Sequence, residues 1–214
     1  MKSVVITILL LLTPHLCGAK ILLPDSMLTT TKSYVYHITS PDTALAIIDA
    51  MRERNLVPAW RTDMTEGDLY YNMRRYRTAL IYYKKVDGLP ELRDSAKVQL
   101  LLLKRMMDCY DELLEGSDLV RIMLRLRRLA KQSGDKAYEA MTYFTSGKWH
   151  HINGQKKQGY SLCEKAFEMM YSSDFPNKHL LLRDFYGELV KMYARDGQFD
   201  KAMRMSRIQE VEAK

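Results

Sequence analysis

The sequence predicts an all-α fold of about five helical hairpins, and three observations predict it. Apolar residues recur at helical spacing, as in Leu189, Val190, Met192 and Tyr193. Glycines and capping residues interrupt those stripes, most clearly at Gly197, where a left-handed residue ends one helix before Phe199 and Ala202 begin another. Compact residues, Ala44, Ala79, Leu119, Gly159 and Ala202, repeat at intervals of 35, 40, 40 and 43 residues. Regular intervals of this size mark one structural unit used several times, and 214 residues hold five such pairs.

The chain opens on Lys2 and the apolar run Val4 to Leu12, then Thr13-Pro14 and the small residues Cys17, Gly18 and Ala19. This pattern reads as a secretory signal peptide, residues 1–19, cleaved after Ala19. The run is shorter than the ~20 residues that span a bilayer, so an uncleaved membrane anchor is the alternative rather than the first reading. Residues 20–214 form the helical repeat domain. Export leaves Cys109 and Cys163, one on the first helix of the third pair and one on the second helix of the fourth. Those helices are not neighbours in a regular stack, so two buried free thiols are expected rather than a bridge.

Pro24-Asp25-Ser26 marks the start of a first helix over 27–38. Ser40-Pro41 starts the second, with Ser as N-cap and Pro at the first helical position. Ala44, Leu45, Ile47, Ile48 and Met51 form its apolar stripe. Pro58 opens the second pair, and Gly88 with Pro90 closes it. Val98 to Tyr110 supply the first arm of the third pair, broken at Gly116, and Ser117-Asp118 caps an arm reaching Gln132. Ser133-Gly134-Asp135 makes the next turn, and Asp174 to Asn177 the turn before the last pair. The last helix leaves Ala202, Met205, Ile208 and Val211 with nothing following to cover them, which predicts an exposed stripe or a homodimer through it.

Three segments carry a family resemblance, the turn Tyr193 to Ala202 among them. Gly67, Tyr70, Ala79 and Tyr83 stand at the offsets of the Gly, Tyr, Ala and Phe of a tetratricopeptide repeat, and Gly147, Gly159, Cys163 and Ala166 follow the same pattern. The chain resembles that family from Pro24 to Lys214, with repeats longer than the usual period. The resemblance implies a right-handed α-solenoid whose first helices line a groove that binds a protein or peptide. By offset, the groove residues would be Arg61, Met64, Asp68, Tyr71 and Asn72 of the second pair. The third contributes Lys104, Asp108, Asp111 and Glu112, the fourth Phe144, Lys148 and His151, and the fifth Asp184, Lys191 and Arg195. Asp68, Asp108, Asp111 and Glu112 are expected to converge on one acidic strip. Lengthened repeats behind a signal peptide are similar to the extracytoplasmic sensor region of bacterial histidine kinases and related regulators of two-component signalling.

Composition is that of a folded protein, 47% apolar and 28% charged, with fourteen Met and fourteen Tyr that fill irregular seams between helices. The net charge of +7 reads as spread along the chain. The densest basic run, Arg121, Arg125, Arg127, Arg128 and Lys131, reads as a solvated face neutralised by Asp108, Asp111, Glu112 and Glu115 of the preceding helix. A regulator binding nucleic acid through this helix is the alternative function. No catalytic constellation, metal site or cofactor motif stands out. His150 and His151 project about 100° apart on a helix and cannot share an ion. Ser146-Gly147-Lys148 lacks the upstream glycine of a phosphate loop.

Overall fold

The computed structural model describes residues 40–176 and 178–212. The signal peptide and the helix expected over 27–38 lie outside the described residues. Within them the protein is all-α: nine α-helices, one 3₁₀ turn and no strand. The helices are α1 (Pro41–Glu53), α2 (Ala59–Asn72), α3 (Tyr76–Val86), α4 (Ala96–Glu112), α5 (Gly116–Ser133), α6 (Lys136–Ile152), α7 (Lys156–Tyr171), α8 (Lys178–Arg195) and α9 (Phe199–Glu212). None of them is long and apolar enough to cross a membrane.

Each helix packs on the next, and the tightest partners are α2–α3, α4–α5, α6–α7 and α8–α9. The first helices of these hairpins also touch in series, α2 with α4, α4 with α6 and α6 with α8. One continuous core runs from Met64 to Met192, and a smaller one holds Ala44, Ile47, Ile48 and Met51 of α1 against Leu69.

All four hairpins turn in the same way. A single residue takes positive φ, Arg74, Leu114, Gly154 or Gly197. The next N–H then donates to a carbonyl five residues back: Arg75 to Tyr70, Glu115 to Tyr110, Gln155 to His150 and Gln198 to Tyr193, at 2.8–3.1 Å. This is the closure that satisfies the last orphan carbonyls of a helix. Only two of the four turns use glycine, which is why the second and third were hidden in the sequence. Gly116 does not break the third pair as expected. Leu114 does, and α5 begins at Gly116, with Asp118 inside its first turn rather than capping it. Gly116 is small for another reason, since a Cβ there would meet the Trp149 ring at 3.0 Å.

Four of the repeating compact positions, Ala79, Leu119, Gly159 and Ala202, lie on the second helices of the described hairpins. Ala44, Ala79, Leu119, Gly159 and Ala202 are all buried. At Gly159 a Cβ would stand 2.7 Å from the Gly147 carbonyl oxygen, and one at Gly147 would stand 2.6 Å from Cys163 Sγ, so α6 and α7 meet backbone to backbone. In the third hairpin the equivalent places are filled by buried Met107 and Leu119, and α4 and α5 pack least closely of the four pairs. Cys109 and Cys163 are buried and unbridged. Burial pushes both thiols up to about 12.

Two stability predictions follow from these turns and crossings. A left-handed conformation costs a non-glycine residue roughly 1–2 kcal/mol, so Leu114→Gly should stabilise the protein by up to about 1 kcal/mol despite the added chain entropy. Urea unfolding reads the change, and a lower midpoint contradicts it. At the α6–α7 crossing, Gly159→Ala should destabilise by about 1–3 kcal/mol because the obstructing atoms are backbone. Gly187→Ala meets only the movable end of Gln209 at 2.7 Å and should be neutral or stabilising in the same assay.

Candidate partner-binding face

The face shared by α2, α4, α6 and α8 is built from charged side chains, several of them paired between adjacent hairpins. Asp68 of α2 accepts from the Tyr83 hydroxyl at 2.6 Å and pairs with Arg105 of α4 at 3.0 Å. Lys104 pairs with Asp108 at 2.6 Å within α4. Asp111 receives Lys148 Nζ of α6 at 2.6 Å and Trp149 Nε1 at 3.1 Å. Lys148 continues to Glu188 of α8 at 3.6 Å, and Lys191 closes the series on Glu188 at 2.6 Å. Burial lowers the affinity of Lys148 for its proton, but Asp111 and Glu188 outweigh that and raise it. Burial likewise favours the protonated form of Glu188, and Lys191 and Lys148 reverse it, holding the carboxyl below its usual range.

The expected acidic strip is therefore occupied from within. Asp68, Asp108 and Asp111 do lie on successive first helices, but Arg105, Lys104 and Lys148 neutralise them. Arg105 was not foreseen, because its exposure depends on how α4 is rotated. Met64, Phe144 and His151 also face inward: Met64 joins the core, and Phe144 stacks on Phe185 with ring centroids 4.0 Å apart. Arg61, Asn72, Glu112, Asp184, Lys191 and Arg195 remain exposed. Tyr71 is half-buried and edge-on to Tyr76, and burial with Asp108 and Glu112 nearby raises its phenol.

A second node joins the fourth pair to the fifth. Asp196, in the turn after α8, receives Lys156 at 2.7 Å, His151 Nε2 at 3.0 Å and the Tyr160 hydroxyl at 3.0 Å. Burial would raise this carboxyl, but bonds from Lys156, His151 and Tyr160 hold it at about 2. His151 thus serves as a joint rather than a ligand, and it edges onto Tyr160 at 5.4 Å. Among the described residues no cluster of His, Cys, Asp and Glu is arranged to hold a metal.

The basic run of α5 is neutralised only in part, and not by the residues expected. Arg121 pairs with Asp118 of its own helix, and Arg125 makes two 2.8 Å bonds to Asp87 after α3. Arg127 turns inward to Thr142 at 2.9 Å and over the Tyr143 ring at 4.2 Å. An open hollow of about 380 Å³ lies between Ser133–Ala137 and Ser172–Pro176. The helix end it exposes is already satisfied, since Asp135 accepts from the N–H groups of Ala137 and Tyr138.

No protein-family model matches this chain, and no curated protein matches it.

The Asp196 joint fixes a pH dependence. Its carboxyl is depressed in the folded state, so its contribution is present above the ordinary value of 3.8 and is lost as pH falls toward about 2. Asp196→Asn should weaken the protein at neutral pH and flatten the loss of stability across that acid window. Urea midpoints measured through the window test this, and parallel pH profiles for the two proteins contradict it.

Proposed function

We propose that the chain is a non-catalytic, exported module of the tetratricopeptide-repeat kind, a right-handed α-solenoid that binds a protein or peptide along its first-helix face. The serial contact of α2, α4, α6 and α8 carries this reading, because it makes one surface out of four separate helices. The identical turns support a repeated unit, and the ion pairs one repeat apart support a fixed stagger between units. The paired charges make the face mixed rather than acidic, which suits a segment of mixed charge whose recognition depends on register. Arg61, Asn72, Glu112 and Arg195 are the exposed residues available to contact it, Glu112 also bonding the Tyr76 hydroxyl.

In this reading residues 1–19 direct export, and the module serves as the sensing part of a two-component signalling protein or a relative of one. A second copy covers α9, where Phe199, Met203 and Val211 are exposed at 67%, 57% and 71%. No cofactor takes part.

Fluorescence anisotropy with labelled peptides of basic, acidic and mixed charge tests the face. One class should bind, and Arg61→Ala with Glu112→Ala should weaken it by at least about tenfold, the scale of an interface hot spot, with an unchanged unfolding midpoint. A bound peptide indifferent to every exposed residue of the face would sink the reading.

A further inference from the structure

The net charge is not spread along the chain. Helices α3 and α5 together carry eight basic residues and one acidic residue, a net +7, equal to the formal net charge of the whole protein. Two ion pairs link these helices in parallel. Arg77 at the start of α3 pairs with Glu115 at the start of α5 at 2.8 Å, and Asp87 after α3 pairs with Arg125. Both pairs are separated by 38 residues, so one constant register relates the two helices. That register sets Ile81 level with Leu119 and Val120, and Lys84 and Lys85 level with Ile122 to Leu124.

The outward stripes at this level are unusual in two ways. Ile81, Val120 and Leu124 are aliphatic yet 57%, 45% and 51% exposed. Around them, Lys84, Lys85 and Arg128 are exposed and have no carboxylate partner among the described residues, unlike Arg77, Arg121 and Arg125. Lys84 and Lys85 lie over the Tyr110 and Tyr82 rings, which leaves their charge uncancelled.

We propose that the outer surface of α3 and α5 docks on an anionic lipid bilayer. Aliphatic side chains enter the interface between headgroups while the unpaired cations meet lipid phosphates, the combination that holds amphipathic surfaces to membranes. A nucleic acid matches the charge but not the aliphatic centre, because single strands need exposed aromatic platforms and a duplex gains little from isoleucine, valine and leucine facing its backbone. This surface lies on the second helices and is separate from the first-helix face assigned to the protein partner.

Cosedimentation of the full chain with phosphatidylcholine vesicles, with and without phosphatidylglycerol, tests the docking. Each cation held at an anionic surface contributes roughly fivefold in partitioning, so Lys84→Glu/Lys85→Glu/Arg128→Glu should lose at least about a hundredfold on the anionic vesicles. The same charge change at Arg195, Arg204 and Arg207 should leave most of the binding. Equal loss in both triple variants reduces the effect to net charge and overturns the proposal. So does binding to a duplex oligonucleotide without binding to vesicles. A polarity-sensitive fluorophore at Leu124→Cys, in a chain carrying Cys17→Ser, separates docking by this face from attachment by the N-terminal segment. Cys109 and Cys163 are buried and do not compete for the label. A blue shift on anionic vesicles supports the face, and an unshifted fluorophore on vesicle-bound protein overturns it.

Discussion

Each of the four described hairpins depends on one backbone closure, in which a left-handed residue brings the next N–H onto a carbonyl five residues back. That bond fixes where a helix stops, and the same closure ends α1 at Leu56 onto Met51 and α5 at Asp135 onto Ala130. Because the closure is identical at Tyr70, Tyr110, His150 and Tyr193, the crossing falls nine residues later each time, at Ala79, Leu119, Gly159 and Ala202. Side-chain size at the crossing then sets the spacing. Glycine facing glycine lets α6 and α7 touch through their backbones, whereas Met107 and Leu119 hold α4 and α5 farther apart.

Between hairpins the cohesion is of another kind. Apolar contact is supplemented at each junction by a charge-assisted bond: Arg52 to Glu66, Asp68 to Arg105, Arg125 to Asp87, Asp111 to Lys148, Lys148 to Glu188 and Asp196 to His151. Hydrophobic burial is non-directional and tolerates sliding. Ion pairs with one preferred partner do not, so they fix the stagger of each unit on the last. Charges that sequence position alone offers to a partner are largely consumed in this task.

That division explains what could be read from the residues. The hairpins were legible because helical period, small crossing residues and Gly197 are local signals. Arg74 and Leu114 were not, since nothing in a side chain of either type announces positive φ. The pairing within the acidic strip is not legible in sequence, because a carboxylate looks alike whether its cation lies one hairpin away or is absent. Asp68 with Arg105 and Asp111 with Lys148 share a separation of 37 residues, and a search for opposite charges at that separation was the available signal. The basic face is hidden for the reverse reason: α3 and α5 are 40 residues apart in sequence, and only the fold links them through Arg77–Glu115 and Asp87–Arg125.

The two buried thiols bear on the chain's history rather than its architecture. With proton affinity near 12, neither Cys109 nor Cys163 offers a thiolate at neutral pH, so neither site responds to an oxidising or reducing compartment. Exposure to oxidants matters only while the chain is still open. Closing the third and fourth hairpins is what takes the thiols out of solvent, so local packing, rather than a bridge, protects them.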